Sequence, residues 1–268
     1  MLSDHNARVA AARKLTDARA RRQAGRFLAE GAPAVREALR RPGTVVQLFA
    51  TAESADRHPD LLALARSAGL AVDEVSPAAA RALSETVAAQ GLVAVCRRVD
   101  VALDAVLTPS ARLVAALIET NDPGNAGTAV RAADAAGASA VVITRPGVDV
   151  HNGKAVRASA GSIFHLDVVT DAEPQQVLRG ARAAGLQVFA TSGAGDEDLD
   201  DLADSGALRT PTLWLFGNEV RGLDAELLEA ADRRVRVPIY GRAESLNLAI
   251  AAAVCLYTSA RAQRAARP

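Results

Sequence analysis

The amino-acid sequence predicts an α/β protein made of two domains, and three observations carry that reading. Short apolar runs alternate with helical segments along almost the whole chain. Gly31, Gly43, Gly69 and Gly91 fall at the joints between them, where stop signals belong. One polar stretch near 98–111, holding Pro109 and Ser110, interrupts the alternation and marks a boundary. With 268 residues, two cores can each be buried. The expected division is therefore 1–100, a linker over 101–110, and 111–268.

The opening, roughly residues 1–25, reads as one Arg-studded helix. RFLAE, TVVQLFA, LAVDEV and GLVAVCRR then read as strands, with APAVREALR, LLALARSAG and the capped SPAAARALSE as helices between them. In the second half LVAALIE, ASAVVI, FHLDVV, LQVFAT, TLWLFG and RVRVP are the strands. Continuous apolar strands separated by helices predict a parallel sheet covered on both faces.

Half of the residues are hydrophobic, which is ordinary globular composition. Aromatics make up 3%, too few for a surface that reads single strands mainly by stacking. The net charge is zero, but its distribution is uneven. Residues 1–41 hold ten basic and four acidic side chains, a net +6 that the rest of the chain balances. A basic end on a neutral protein suits contacts with a phosphate backbone, and a solvated helix face would look the same. Nearly all of the positive charge is arginine, which can grip phosphate with two N–H groups. Cys96 and Cys255 sit in apolar runs and read as small buried hydrophobes. His5, His58, His151 and His165 have no ligand spacing, so no metal is expected. No apolar run approaches ~18 residues, and Asp4 and His5 break any leader pattern, so the expected location is cytoplasmic.

Ligands of open parallel sheets bind beyond the carboxyl ends of the strands. Three such segments are rich in Gly, Asn and Pro. TNDPGNAG follows LVAALIE, NEVRGL follows TLWLFG, and PIYGRAESLN follows RVRV. SGAG after LQVFAT suggests a phosphate loop, but Asp196, Glu197 and Asp198 follow at once and would repel an anion. The dinucleotide pattern also lacks its third Gly.

Together NDPGNAGTAVRAADAAGA, LFGNEVRGL and VPIYGRAESLNLAIAAAVCLY resemble, in order and spacing, the three motifs of the SpoU-type methyltransferases of the SPOUT superfamily. The chain is similar to the thiostrepton-resistance-type rRNA methyltransferases within that group. ARKLTDARARRQAGRFLAEG resembles the small ribosomal-protein-like α/β RNA-binding domain that precedes their catalytic domain. The resemblance implies a C-terminal trefoil-knotted parallel-sheet domain, a homodimer, S-adenosylmethionine as cofactor, and methyl transfer to a ribose 2′-hydroxyl without a metal. Large-subunit rRNA is the implied substrate. A tRNA substrate, or an RNA-binding or ribosome-assembly factor without catalysis, are the alternatives, and a dinucleotide enzyme is a further rival class.

By the same resemblance, Asn125, Arg131, Glu219, Ser245 and Asn247 are the catalytic set. Taken alone, Asn125 reads as a helix N-cap, Glu219 as a helix-start acid, and Ser245 with Asn247 as the cap region of the last helix. Arg131 is implied to be the base for the 2′-hydroxyl. A guanidinium stays protonated in proteins, so gripping a phosphate and stabilising a developing alkoxide is the competing role. Gly217, Val237, Ile239 and Leu246, with Thr191 and Ser192, match the cofactor contacts, which are largely backbone. Arg26, Arg131 and Arg157 are the expected RNA contacts, Arg157 being alternatively a solvent-facing helix residue.

The last helix is apolar nearly all round. Leu246, Ile250, Ala253 and Tyr257 form one stripe, and Leu248, Ala251 and Cys255 add a second. Such a helix is expected to be covered on two sides, the second by a partner copy.

Overall fold

The structure, a computed structural model, describes residues 1–86 and 88–265. The last three residues of the expected second domain lie outside the described residues. Contacts divide the chain into two compact units, Met1–Val99 with Asp149–His165, and Asp100–Val148 with the residues from Leu166 onward. Each unit is described by itself.

The first unit starts with α1 (Ala7–Arg13) and α2 (Ala18–Ala24), separated by the 3-10 turn Lys14–Thr16. The single opening helix expected from sequence is thus two. Asp17 breaks it by accepting a hydrogen bond from the Ala20 N–H as the cap of α2, and Gly25 ends α2 at φ +62°. Then follow β1 (Arg26–Glu30), α3 (Ala32–Arg40), β2 (Val45–Ala50), α4 (Ala52–Arg57), α5 (Pro59–Ser67), β3 (Val72–Glu74), α6 (Pro77–Ala82) and β4 (Leu92–Arg97). Their sheet has the order β1-β4-β2-β3, with β4 antiparallel to both neighbours and β3 parallel to β2. Phe49, Val93, Val95, Leu28 and Leu83 are among its buried core.

The second unit opens with α7 (Leu103–Val106), then β5 (Leu113–Leu117), α8 (Pro123–Ala136) and β6 (Ala140–Thr144). Residues 101–110 are therefore not an open linker. Val106 and Leu107 are buried in this unit's core, and the Val101 N–H donates to the Val168 carbonyl. After β6 the chain enters the first unit, where α9 (Gly153–Ser159) lies against β1. It returns with β7 (Asp167–Ala172), α10 (Pro174–Ala183), β8 (Gln187–Thr191), β9 (Glu197–Asp198), α11 (Leu199–Asp204), β10 (Thr212–Phe216), α12 (Ala225–Ala230), β11 (Arg233–Arg236) and α13 (Leu248–Ala265).

The sheet of the second unit has the order β7-β6-β5-β10-β8-β11-β9, and every pairing in it is parallel. The chain steps outward from β5 through β6 to β7, crosses to β8 and β9 on the other side of β5, and then returns to place β10 between β5 and β8 and β11 between β8 and β9. Between β5 and β10 lies the topological switch, and the carboxyl ends of β5, β10, β8 and β11 stand side by side there. α13 packs on α8, whose inner face is made of Ala126, Gly127, Ala129, Val130 and Ala133. Trp214 is fully buried in β10, and its Nε1 donates to Ser259 Oγ on α13 at 2.9 Å.

Candidate active site

Four loops that follow adjacent parallel strands line one cleft of about 970 Å³. Its walls come from Asn125, from Thr191–Gly193 after β8, from Phe216–Leu223 after β10, and from Val237–Tyr240 with Glu244–Leu248 after β11. Ten of the residues singled out by sequence meet there: Asn125, Thr191, Ser192, Gly217, Glu219, Val237, Ile239, Ser245, Leu246 and Asn247.

A chain of hydrogen bonds joins three of the loops. Asn247 Nδ2 donates to Asn125 Oδ1 at 2.9 Å, and Asn125 Nδ2 donates to Glu219 Oε1 at 3.1 Å. The Asn121 and Asp122 N–H groups also donate to the Glu219 carboxylate, at 3.3 and 3.4 Å. Burial alone would raise the Glu219 pKa, but Asn125 and these backbone N–H groups outweigh it and hold the carboxyl below its ordinary value. Glu219 is thus an ionised acceptor that positions Asn125.

Several local roles differ from the sequence reading. The N-cap of α8 is Asp122, whose Oδ1 accepts from the Asn125 N–H at 2.8 Å, so the Asn125 side chain is left to the network. Asn247 does cap α13, its Oδ1 accepting from the N–H groups of Ala249 and Ile250, while its Nδ2 reaches Asn125. Gly217 is required by the chain's own packing as well. A Cβ there would lie 2.4 Å from the Gly222 carbonyl carbon, where the 218–222 turn closes on the strand end.

The acids after SGAG do not face a phosphate site. Asp196, Glu197 and Asp198 pair with Arg234, Arg233 and Arg236, all three on β11. On the second unit's cleft, Asp198 is therefore already neutralised.

Arg131, Arg26 and Arg157 do not line the cleft. Arg131 is exposed on α8. Arg26 is exposed at the start of β1 in the first unit. Arg157 is not a solvent-facing helix residue. It stands on α9, 3.5 Å from the buried carboxylate of Glu30, which also accepts from Ser84 Oγ and the Gln90 N–H. An acid placed within a core needs such partners, so Arg157 has a charge-balancing task in the first unit.

Sequence reasoning missed Glu119, Asn218 and Arg221. Asn218 Oδ1 accepts from the N–H groups of Val220 and Arg221, and its Nδ2 donates to the Glu119 carbonyl at 2.7 Å. For Asn218 the signal was an Asn directly after a strand-end Gly, an Asx turn in waiting.

Residues 112–257 match the SpoU rRNA methylase family. This chain belongs to that family. Residues 6–94 match the MRM3-like substrate binding domain. Over 255 residues the SpoU-family chain is 36% identical to the 23S rRNA (guanosine(2553)-2'-O)-methyltransferase RlmP of Bacillus subtilis (strain 168), an overlap of 95% of this chain and 96% of that one. Among solved structures, the SpoU methyltransferase AviRb from Streptomyces viridochromogenes in complex with AdoMet superposes with a TM-score of 0.83 at 30% identity, covering 98% of this chain and all of that one. An AdoMet-bound rRNA methyltransferase from Sinorhizobium meliloti gives a TM-score of 0.81 at 31% identity, over 96% and 95% of the two chains.

The cleft of this SpoU-family protein fits S-adenosylmethionine on its own chemistry. Phe216, Leu223, Val237, Ile239 and Leu246 supply apolar wall for a flat base. Both lining arginines are neutralised, Arg221 by Glu119 and Arg236 by Asp198. Glu219 and Glu244 have no cation partner among the described residues. That balance suits a sulfonium and an ammonium group and opposes the two phosphates of a dinucleotide.

Proposed function

We infer that the chain is an S-adenosylmethionine-dependent RNA 2′-O-methyltransferase acting on large-subunit rRNA. The observation that carries this is the Asn247–Asn125–Glu219 chain on the wall of a cleft biased against anions, in a chain whose similarity to RlmP spans nearly its whole length. The cofactor, when bound, supplies an electrophilic methyl on a sulfonium. The protein then has chiefly to position the ribose. In this reading Gly217, Val237, Ile239, Leu246, Thr191 and Ser192 hold the cofactor. Asn125, Glu219, Ser245 and Asn247 orient the 2′-hydroxyl, and Arg131 grips the adjoining phosphate and offsets the alkoxide charge.

The family likeness also supports a trefoil knot in the C-terminal domain and a division of labour between residues 1–100, which bind substrate, and 111–268, which carry the chemistry. We extend the first to include Asp149–His165, and with it Arg157. A homodimer is supported by Ile250, Val254 and Tyr257, an exposed apolar stripe on α13. Of the helix's two apolar stripes, Leu248 and Cys255 are buried within the chain's own core, which leaves the other for a partner copy. No helix among the described residues is long and apolar enough to cross a membrane, and ribosomal RNA as substrate favours the cytoplasm.

The deciding experiment maps 2′-O-methylated riboses in rRNA and tRNA from cells with and without the gene. A site in 23S rRNA that is lost with the gene and restored by the purified protein with S-adenosylmethionine is expected. Loss of a tRNA site alone would reassign the substrate.

A further inference from the structure

We propose that Arg26 and Arg97 together form a subsite for one phosphodiester of the substrate RNA. The proposal rests on the RNA-methyltransferase reading and adds a residue to it that the sequence did not single out.

β1 and β4 run antiparallel, and Arg26 and Arg97 are direct partners across them. Directly opposed residues in such a pair project to the same face with Cβ atoms about 5 Å apart. Both are exposed, whereas every other residue of β1 and β4 is buried. Like charges facing each other at that distance cost stability. Neither arginine is in an ion pair among the described residues. Elsewhere in the unit Arg8, Arg36, Arg40, Arg57 and Arg157 each have a carboxylate partner, whereas Arg26 and Arg97 face each other across two paired strands.

The pair is also held in place. Arg97 Nε donates to the Gly43 carbonyl at 3.1 Å, which fixes the guanidinium and leaves its two terminal nitrogens to other acceptors. The backbone around it is closed by the Arg97 N–H on the Thr44 carbonyl and the Arg98 N–H on the Gly25 carbonyl, at 2.8 and 3.0 Å. Arg22, exposed in the last turn of α2, precedes Arg26 through Gly25 and adds to the charge of the approach. Two planar donors on directly opposed strand residues, neither in an ion pair among the described residues, match an anion that offers several oxygens, and RNA presents one at every nucleotide.

The test uses the full chain and purified 23S rRNA. Affinity is measured across a range of salt for the wild type, Arg26→Gln, Arg97→Gln, the double variant, and Arg66→Gln as an equally exposed arginine of the same unit. Each of the first two substitutions should flatten the slope of log affinity against log salt by about 0.7–1, and the double variant should flatten it most. Arg66→Gln should leave it as in the wild type. Calorimetric binding of S-adenosylmethionine should not change in any variant. Wild-type slopes in both single variants, or the same flattening in Arg66→Gln, would overturn the subsite. If the slopes flatten but the wild type transfers no methyl group to any RNA, the subsite stands and the enzymatic reading falls.

Discussion

Arg221 Nη2 lies 2.5 Å from Glu119 Oε2, and this ion pair ties the loop after β10 to the residue at which β5 leaves its sheet. Glu119 has φ +50°, a left-handed conformation that costs a non-glycine residue about 1–2 kcal/mol. It is retained because three contacts converge on it. Its N–H donates to Thr144 Oγ1, its carbonyl accepts from Asn218, and its carboxylate holds Arg221. The Arg221 side of the pair is open to solvent, so the pair contributes no more than about 1 kcal/mol to stability.

This gives an ordering that can be measured. Glu119→Gly loses the ion pair but suits the backbone, whereas Glu119→Ala loses the pair and keeps the strain. Glu119→Gly should therefore be the more stable of the two by about 1 kcal/mol in urea denaturation. Both should turn over more slowly than the wild type, because the loop bearing Glu219 loses an anchor. An alanine variant more stable than the glycine variant would contradict the strain argument.

The ionisation of Glu219 gives a second prediction. Its folded pKa is lowered, so its ionised form adds stability above the unfolded value and loses it as pH falls through the folded one. The stability difference between wild type and Glu219→Gln should be level near neutrality and shrink below about pH 4.3, the ordinary glutamate value. Denaturation series at several pH values check this. A difference that holds unchanged well into the acid range would mean that the network does not depend on the charge.

The exposed stripe of α13 gives a third. Ile250 and Tyr257 are each about half exposed, at 50% and 53%, an unfavourable state for a single chain in water. Sedimentation should show a dimer at micromolar concentration, and Ile250→Asp with Tyr257→Asp should give a folded monomer. A wild-type monomer would remove the partner copy from the account.

The role of Arg131 gives a fourth. Arg131→Lys keeps the charge but loses the planar fork, and lysine releases its proton far more readily. If Arg131 clamps a phosphate and offsets developing charge, turnover should fall by roughly 10²-fold or more with cofactor affinity intact. If Arg131 is the base, the lysine variant should regain rate in alkali. A pH–rate profile that climbs back toward the wild type would sink the clamp.

Much of this was legible in the residue order. The apolar runs marked ten of the eleven strands, and parallel pairing then required the loops after β5, β8, β10 and β11 to share one edge of a sheet. That is why the loops could be picked before any contact was known, and the resemblance to the SpoU motifs then named the residues on them. β9 was not legible, because Glu197 and Asp198 are two acids with no apolar signal, held as a strand only by the arginines of β11.

The sequence by itself determined the alternation of elements, the position of the cleft at the strand ends and the residue types on its walls, because each depends on neighbours within a few residues of one another. Tertiary structure alone decided which distant groups meet. Asn247 reaches Asn125 across 122 residues of chain, Arg157 turns to Glu30 and away from solvent, Asp149–His165 leaves the unit that flanks it, and Arg26 faces Arg97. Those pairings follow from strand register and from the need to neutralise charge inside a core. Both are properties of the packed chain, and no local pattern of residues encodes them.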